Sequence, residues 1–293
     1  MRIHTLDLNF LNSKQVLSSY LVESDPPFLV ETGPDSTFEN LKAELRKFGY
    51  EIKDIKYVFI THIHLDHSGA AFRFANEGAK IYVHPNGKRH LVNPEKLIRS
   101  ATMVYKERTY ELWGDTLPID EEKVIETSDG QIITIGDIQV RVLDSPGHAK
   151  HHNVYLIDDH LFTGDTGGVR IGNGPIMPAV PPPDIDIPIW LKTIEKMKSY
   201  NATYICPSHF GCFSDVEYHL ETLRKNLIKY DEFIKKQIKF SDDYNTLFPI
   251  FKEYVDSFFT DKKVRDFYQF ANPDEMNLAG LIRYAKVNKF DVE

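Results

Sequence analysis

The sequence predicts an α/β protein built from two strand-rich stretches, residues 1–84 and 131–212, followed by a helical tail. Three observations carry this. Short apolar runs bounded by turn-forming residues recur in both stretches and read as strands. Amphipathic segments with apolar residues three and four apart lie between them and read as helices. From Asp215 onward the pattern is helical throughout. The two stretches look like similar halves.

In order, Ile3 to Phe10, Val16 to Glu23 and Phe28 to Thr32 read as strands, and Gly33-Pro34 breaks the third. Ser36 and Glu39 have the spacing of a capping box. Phe38, Leu41, Leu45 and Phe48 follow at helical spacing, and Gly49 sits where a helix-ending glycine belongs. Ile55 to Ile60 is a short buried strand, Gly69 to Asn76 a short helix and Lys80 to Val83 another strand. Residues 85–126 interrupt the strand pattern. Pro94 to Trp113 reads as helical there, with Leu97, Ile98, Met103, Val104 and Tyr110 as inward candidates. This insertion is either a lid over the site's rim or an extra helical layer on the core.

Strands resume at Gln131–Ile135 and Ile138–Leu143, and a hairpin turns at Asp158-Asp159 between Asn153–Ile157 and His160–Thr163. Asp186 and Pro188 open a helix carrying Trp190, Leu191, Ile194 and Met197 inward. Tyr204–Cys206 is the last strand. In the tail, one long helix carries Leu220, Leu223, Leu227, Phe233 and Ile234, and a second carries Phe248, Phe251, Val255 and Phe258. Asn272-Pro273 opens a third, with Leu278, Leu281 and Ile282.

Chemistry concentrates after the Ile55–Ile60 strand, where His62, His64, Asp66 and His67 place four potential metal ligands within six residues. Imidazole and carboxylate together suit zinc, iron or manganese. A polar turn or helix start would explain Asp66 or Ser68 as caps and none of the three histidines. Further candidates follow later strands: His148 in Ser145-Pro146-Gly147-His148, Asp165 in Thr163-Gly164-Asp165, and His209 in Pro207-Ser208-His209. Each is a His or Asp just past a strand end, beside Gly or Pro that lets the backbone turn sharply.

Composition narrows the partners. Of the 293 residues 42% are hydrophobic and 27% charged, as in a soluble globular protein. The formal net charge of −8 argues against a nucleic-acid backbone as main partner. No secretory pattern opens the chain and no apolar run is long enough to span a membrane, so a cytoplasmic location is expected. Cys206 and Cys212 are the two cysteines, too few for a disulfide framework, and are expected to be free thiols in the core.

His62-x-His64-x-Asp66-His67 followed by His148, Asp165 and His209 resembles the metallo-β-lactamase-fold hydrolase superfamily over residues 1–215. The resemblance implies a four-layer αβ/βα sandwich of two mixed sheets with the site at one edge, and a C-terminal helical extension over residues 216–293. It implies two divalent metal ions. His62, His64 and His148 would hold the first; Asp66, His67 and His209 the second; Asp165 would bridge them. Zinc is the preferred assignment, with iron and manganese also suited.

Paired metals can activate a bridging hydroxide without a protein nucleophile. Asp66 would orient that hydroxide, and His152, four residues after His148, would orient a ligand or the first metal. His151 and His84 read as solvent or structural histidines. Glu31 stands where many relatives carry an Asp and would hydrogen-bond the ligand loop. Arg170 would meet an anionic substrate group or lie solvated in its loop, and Pro181-Pro182-Pro183 reads as a stiff connector.

The resemblance favours the glyoxalase II and lactonase-like branch, and hence hydrolysis of a small-molecule thioester, lactone or ester by a monomer or homodimer. Tyr105, Tyr110, Trp113, Phe248 and Phe251 are candidates for an acyl pocket, or more simply core. The alternatives are an iron-dependent persulfide dioxygenase, a diiron oxygen-binding or redox-sensing protein on the same fold, and a non-catalytic binding module.

Overall fold

The protein is described by a computed structural model covering residues 2–290. Its strands form two sheets. The first contains β1 (Arg2–Asp7), β2 (Ser18–Glu23), β3 (Phe28–Val30), β4 (Tyr57–Phe59), β5 (Lys80–Val83) and β6 (Val124–Glu126), neighbours in that order. β1, β2 and β3 pair antiparallel, and β3 to β6 pair parallel. The second sheet holds β7 (Ile132–Ile135), β8 (Ile138–Asp144), β9 (Asn153–Ile157), β10 (His160–Phe162) and β11 (Tyr204–Cys206). There β7 to β10 are antiparallel and β11 joins β10 in parallel.

Side chains on a strand alternate between faces, and the core sorts accordingly. On β2, Tyr20 and Val22 enter the core between the sheets while Leu21 faces outward to helices. On β3, Phe28 and Val30 point inward and Leu29 outward. On β8, Val140 and Val142 join that inter-sheet core and Leu143 turns to the opposite face. β2 and β3 are therefore apolar on both faces, which requires helices outside the sheet, while the outer face of β8 turns apolar only at Leu143, after Gln139 and Arg141.

Over the first sheet lie α1 (Phe38–Lys47), α2 (Leu65–Ser68), α3 (Ala71–Asn76), α4 (Pro85–Val92), α5 (Glu95–Tyr105) and α6 (Thr109–Trp113). Leu41, Leu45, Phe72, Phe74, Leu91 and Trp113 pack there against Leu29, Val58 and Ile81. Over the second sheet lie α7 (Ile187–Lys198), α8 (Val216–Gln237), α9 (Tyr244–Asp256), α10 (Lys262–Ala271) and α11 (Asp274–Val287). Trp190, Leu220, Leu227, Phe251 and Leu281 share one cluster with Leu143, Val154 and Ile205 of that sheet. The result is the expected four-layer α/β sandwich with helices filling the tail.

Several local expectations are corrected. Ser36 does not cap α1: its hydroxyl donates to Leu112 O at 2.6 Å, and α1 begins after a short 3-10 turn over Asp35–Thr37. The insertion is not free of strands, since its last residues form β6 on the edge of the first sheet. Met103 and Val104 are exposed, not inward, because α5 packs through Leu97, Ala101 and Tyr105, an i, i+4, i+8 stripe; Tyr110 is exposed on α6, which packs through Leu112 and Trp113. α10 lies in the stretch that the sequence marks as helical, without being singled out there as a helix of its own.

Cys206 and Cys212 are not free thiols; their sulfurs are bonded to each other. The proposed aromatic pocket also fails to assemble. Trp113 and Tyr105 pack on the first sheet's outer layer, Phe248 and Phe251 on the second's, and Tyr110 is exposed. No helix among the described residues is long and apolar enough to cross a membrane.

Candidate metal centre

Five loops carry the site, each leaving the same end of a strand. β4 leads into Thr61 to His67, β8 into His148, β10 into Asp165, β11 into His209, and β3 into Glu31. Hydrogen bonds between the sheets fix these loops against one another. Asn153 N donates to Thr61 O at 2.7 Å, and the Tyr155 hydroxyl donates to Ile60 O at 2.8 Å. Ser18 donates from both its amide and its hydroxyl to Ser208 O, each at 2.9 Å. Gly164 has φ +47°, and a Cβ there would lie 2.4 Å from Thr61 Oγ1, so only glycine lets β10 approach the first ligand loop.

The seven predicted ligands come together as two groups. His62, His64, His148 and Asp165 can bring one ligand atom each within 4.8 Å of all the others, and so can Asp66, His67, Asp165 and His209. In the first group, His64 Nδ1 lies 2.9 Å from His62 Nε2 and 3.1 Å from His148 Nε2. In the second, His67 Nε2 is 3.3 Å from Asp165 Oδ1 and 3.5 Å from Asp66 Oδ2, and His209 Nε2 is 3.4 Å from Asp66 Oδ2. Asp165 belongs to both, turning Oδ2 to His148 at 3.6 Å and Oδ1 to His67 and His209.

Hydrogen bonds behind the rings decide which nitrogens carry lone pairs. A carbonyl only accepts, so His148 Nδ1–H donates to Ala179 O at 2.8 Å and His209 Nδ1–H to Val16 O at 2.9 Å. The Thr61 hydroxyl gives its proton to Glu31 Oε1, so its oxygen accepts from His62 Nδ1–H at 3.1 Å. Nε2 of His62, His148 and His209 is thereby left as a lone pair aimed into the site. His67 Nε2, His209 Nε2 and Asp165 Oδ1 are buried without any hydrogen-bond partner. Lone pairs and carboxylate oxygens facing one another repel unless a cation lies among them, so the residues present fit two divalent ions.

The charges sort the same way. Burial and the neighbouring His67 and His64 push His62 far below the usual histidine range, and burial with His148 holds His64 down to about 3. In the second group burial would lower His67, but Asp66, Asp165 and Glu31 outweigh it and raise it well above that range. Burial opposes ionisation of Asp66 and Asp165 too, yet His67 and His209 hold both below the usual carboxylate range. One group rejects protons and the other draws positive charge.

Around the ligands, Glu31 is buried and takes a left-handed φ of 67°. Its Oε1 accepts from Thr61 N at 3.3 Å and lies 3.6 Å from His67 Nδ1, so it does bond the ligand loop. His152 is buried, stacks on His62 with ring centroids 4.7 Å apart, and accepts from Thr166 N at 3.3 Å. It supports the first group from behind and is in neither set of convergent atoms. His84 is structural, capping α4 and meeting Asp144 at 3.1 Å.

His151 is buried and not solvent-facing, and Arg170 falls differently from expectation. His151 is 9% exposed, sets its ring edge-on to His64 at 5.6 Å, and makes no hydrogen bond through Nδ1. Arg170 is neither solvated nor free for a substrate: it grips Asp215 at 2.7 and 3.0 Å and covers the Phe213 ring at 4.0 Å. Its backbone exchanges hydrogen bonds with the His209 loop, Arg170 N to His209 O and Phe210 N to Arg170 O. Sequence offered no signal for either, since both depend on partners far along the chain.

The insertion reaches the rim as well as the outer layer. A Cβ on Gly87 of α4 would touch Ile63 Cγ2 at 2.7 Å and His151 Cβ at 3.8 Å. Burial, and to a smaller extent the charge of Asp66, raises the Tyr105 hydroxyl above its ordinary range.

Comparison with known proteins agrees with this geometry. A metallo-beta-lactamase fold-containing protein of Sulfurisphaera tokodaii is 30% identical over 200 residues, covering 63% of this chain and 76% of that one. A hydroxyacylglutathione hydrolase of a Shewanella species is 29% identical over 109 residues, covering 37% of this chain and only 33% of its own length. The structure of a metallo-beta-lactamase family protein from Thermus thermophilus superposes with a TM-score of 0.72 at 18% identity, covering 98% of this chain and 94% of that one, and so shares the fold. The family model described as the metallo-beta-lactamase superfamily matches residues 14–209, a span that holds all seven convergent residues, and the chain belongs to that superfamily.

Proposed function

We propose that the chain is a dinuclear metal-dependent hydrolase of small-molecule thioesters, lactones or esters. The observation that carries this reading is the shared carboxylate: Asp165 offers one oxygen to each of two groups of inward-facing nitrogens. His62, His64 and His148 would hold one cation, Asp66, His67 and His209 the other, and Asp165 both. Zinc is the preferred ion, with iron and manganese compatible with the same donors. When bound, such a pair supplies activation of water near neutral pH and a charge sink for the oxyanion that develops on the substrate.

The chain's own residues do the rest. Thr61, Ala179 and Val16 keep the protons of His62, His148 and His209 on the rear nitrogens. Asp66, the most open carboxylate of the site with a side chain 21% exposed, orients the attacking water. His152 buttresses the His62 ring and keeps it aligned. No serine or thiol nucleophile is required, and both cysteines are tied to each other.

The thioester preference draws support from the name of the hydroxyacylglutathione hydrolase relative, although only a third of that protein is covered. The intact pair His67 and His209 favours two metals over a single-iron dioxygenase. A cytoplasmic location and a monomeric or homodimeric state complete the reading.

Metal-loaded protein tested on a panel of thioesters, lactones and carboxylic esters is expected to turn over at least one class and to stop on chelation. No turnover across the panel, with oxygen uptake on a persulfide instead, would replace the hydrolase with an oxidative enzyme.

A further inference from the structure

The disulfide closes a seven-residue ring, Cys206-Pro207-Ser208-His209-Phe210-Gly211-Cys212, with His209 at its midpoint, three residues from each sulfur. No other residue of the two convergent groups lies in this ring. Its outgoing arm is pinned to the opposite sheet, with Tyr20 donating to Pro207 O and Ser18 to Ser208 O. The return arm is held by Phe210 N to Arg170 O at 2.8 Å, by Tyr20 to Gly211 O at 3.0 Å, by the paired backbones of Phe213 and Ile205, and by the bond from Cys212 back to Cys206. Cys206 is 1% exposed and Cys212 half-buried, so a reductant reaches the bond from the Cys212 side.

We propose that the Cys206–Cys212 bond positions His209 for the second metal, and that its reversible reduction weakens that metal selectively. This rests on the two-metal reading above. In the exchange, a thiolate of a small dithiol attacks Cys212 Sγ and the S–S bond breaks. Cys206 leaves as a thiolate and takes a proton. The reagent's second thiolate then attacks the mixed disulfide and expels Cys212, which is also protonated. Two electrons pass to the protein, and the dithiol becomes a cyclic disulfide. The ring opens and the Cys212–Cys206 tie is lost, while the Phe213–Ile205 backbone pair, Phe210 N to Arg170 O and the His209 Nδ1 bond to Val16 O remain, so the arm that returns from His209 is left with hydrogen bonds alone.

Selectivity separates this role from a general structural one. His62, His64 and His148 stand on other loops, so opening the ring leaves the first metal position in place.

The test uses the full-length protein purified without reductant, with Zn(II) titrated against a chromophoric chelator. It is run before reduction, after dithiothreitol and anaerobic desalting, and after reoxidation. Iodoacetamide mass shifts count the thiols at each stage. The oxidised protein is expected to show no alkylation and two sites. The reduced protein is expected to show two alkylated cysteines, an unchanged first site and a second site about tenfold to a hundredfold weaker, restored by reoxidation.

The variant C206S/C212S, which has no thiols to bind zinc, should match the reduced form. Its circular dichroism checks the fold, and the wild-type measurement stands without it. Two alkylated thiols before reduction, two sites equally strong in both states, or both sites weakened together would each overturn the proposal. One site in the oxidised protein would instead overturn the two-metal reading on which it stands.

Discussion

Thr61 does two jobs with one hydroxyl. It gives its proton to Glu31 and receives the proton of His62 Nδ1, which leaves His62 Nε2 bare toward the site. Thr61→Val keeps the shape and removes both bonds. Supporting partners of this kind are worth about tenfold to a hundredfold in metal affinity, so the first site should weaken by that factor in a chelator competition. Unchanged affinity would mean that the tautomer of His62 is set elsewhere.

At this scale the convergence of the seven residues was legible in sequence because their types and order are unusual. The His62–His67 cluster cannot be explained by caps, and His148, Asp165 and His209 each follow a strand beside Gly or Pro. The Cys206–Cys212 bond, the burial of His151 against His64 and the pairing of Arg170 with Asp215 were not legible. A side chain's partner in space leaves no trace in its neighbours along the chain.

Among the elements, strands were read well where apolar runs are bounded by Gly or Pro, and poorly where the packing face decides. On α5 the sequence offers Met103 and Val104 as readily as Leu97 and Ala101, and the sheet beneath selects the latter. Ser36 has capping chemistry, yet the α6 carbonyl of Leu112 takes its hydroxyl.

α11 illustrates a constraint that sequence hides. It lies against the connector before α7, with Asn277 accepting from Val180 N at 2.7 Å and Arg283 donating to Pro183 O at 3.1 Å. A Cβ on its Gly280 would sit 1.9 Å from Val180 O. Gly280→Ala gains about 1 kcal/mol of helix propensity. The overpacking it forces against backbone costs about 1–3 kcal/mol, and a contact this close belongs at the upper end. Urea unfolding should show a net loss of stability; a gain would mean that the connector yields freely.

For the whole molecule, residues 216–290 are not a detachable appendage in this account, because α8 to α11 supply much of the outer core of the second sheet. A chain ending at residue 215 would expose Trp190, Ile194 and Ile205, and it should fail to yield a soluble, cooperatively melting protein. A well-folded truncation would contradict this.

Acid should weaken the fold through the same layer. His219 of α8 is fully buried and donates Nε2–H to Gly167 O at 2.9 Å. Burial holds its titration down to about 4. The unfolded chain takes up that proton near pH 6.5. His219 therefore contributes stability that is complete above about pH 6.5 and is lost as pH falls toward 4. Melting temperatures across that window should fall less steeply for His219→Gln than for the wild type, and parallel curves would assign the acid sensitivity to other groups.

In the proposed reading, seven side chains from four loops make two metal positions joined by Asp165. Elemental analysis of protein saturated with Zn(II) and freed of excess by gel filtration tests it most directly, on the wild type and on His209→Ala. Two ions per chain are expected in the wild type and one in the variant. One ion in the wild type, or two retained without His209, would contradict it.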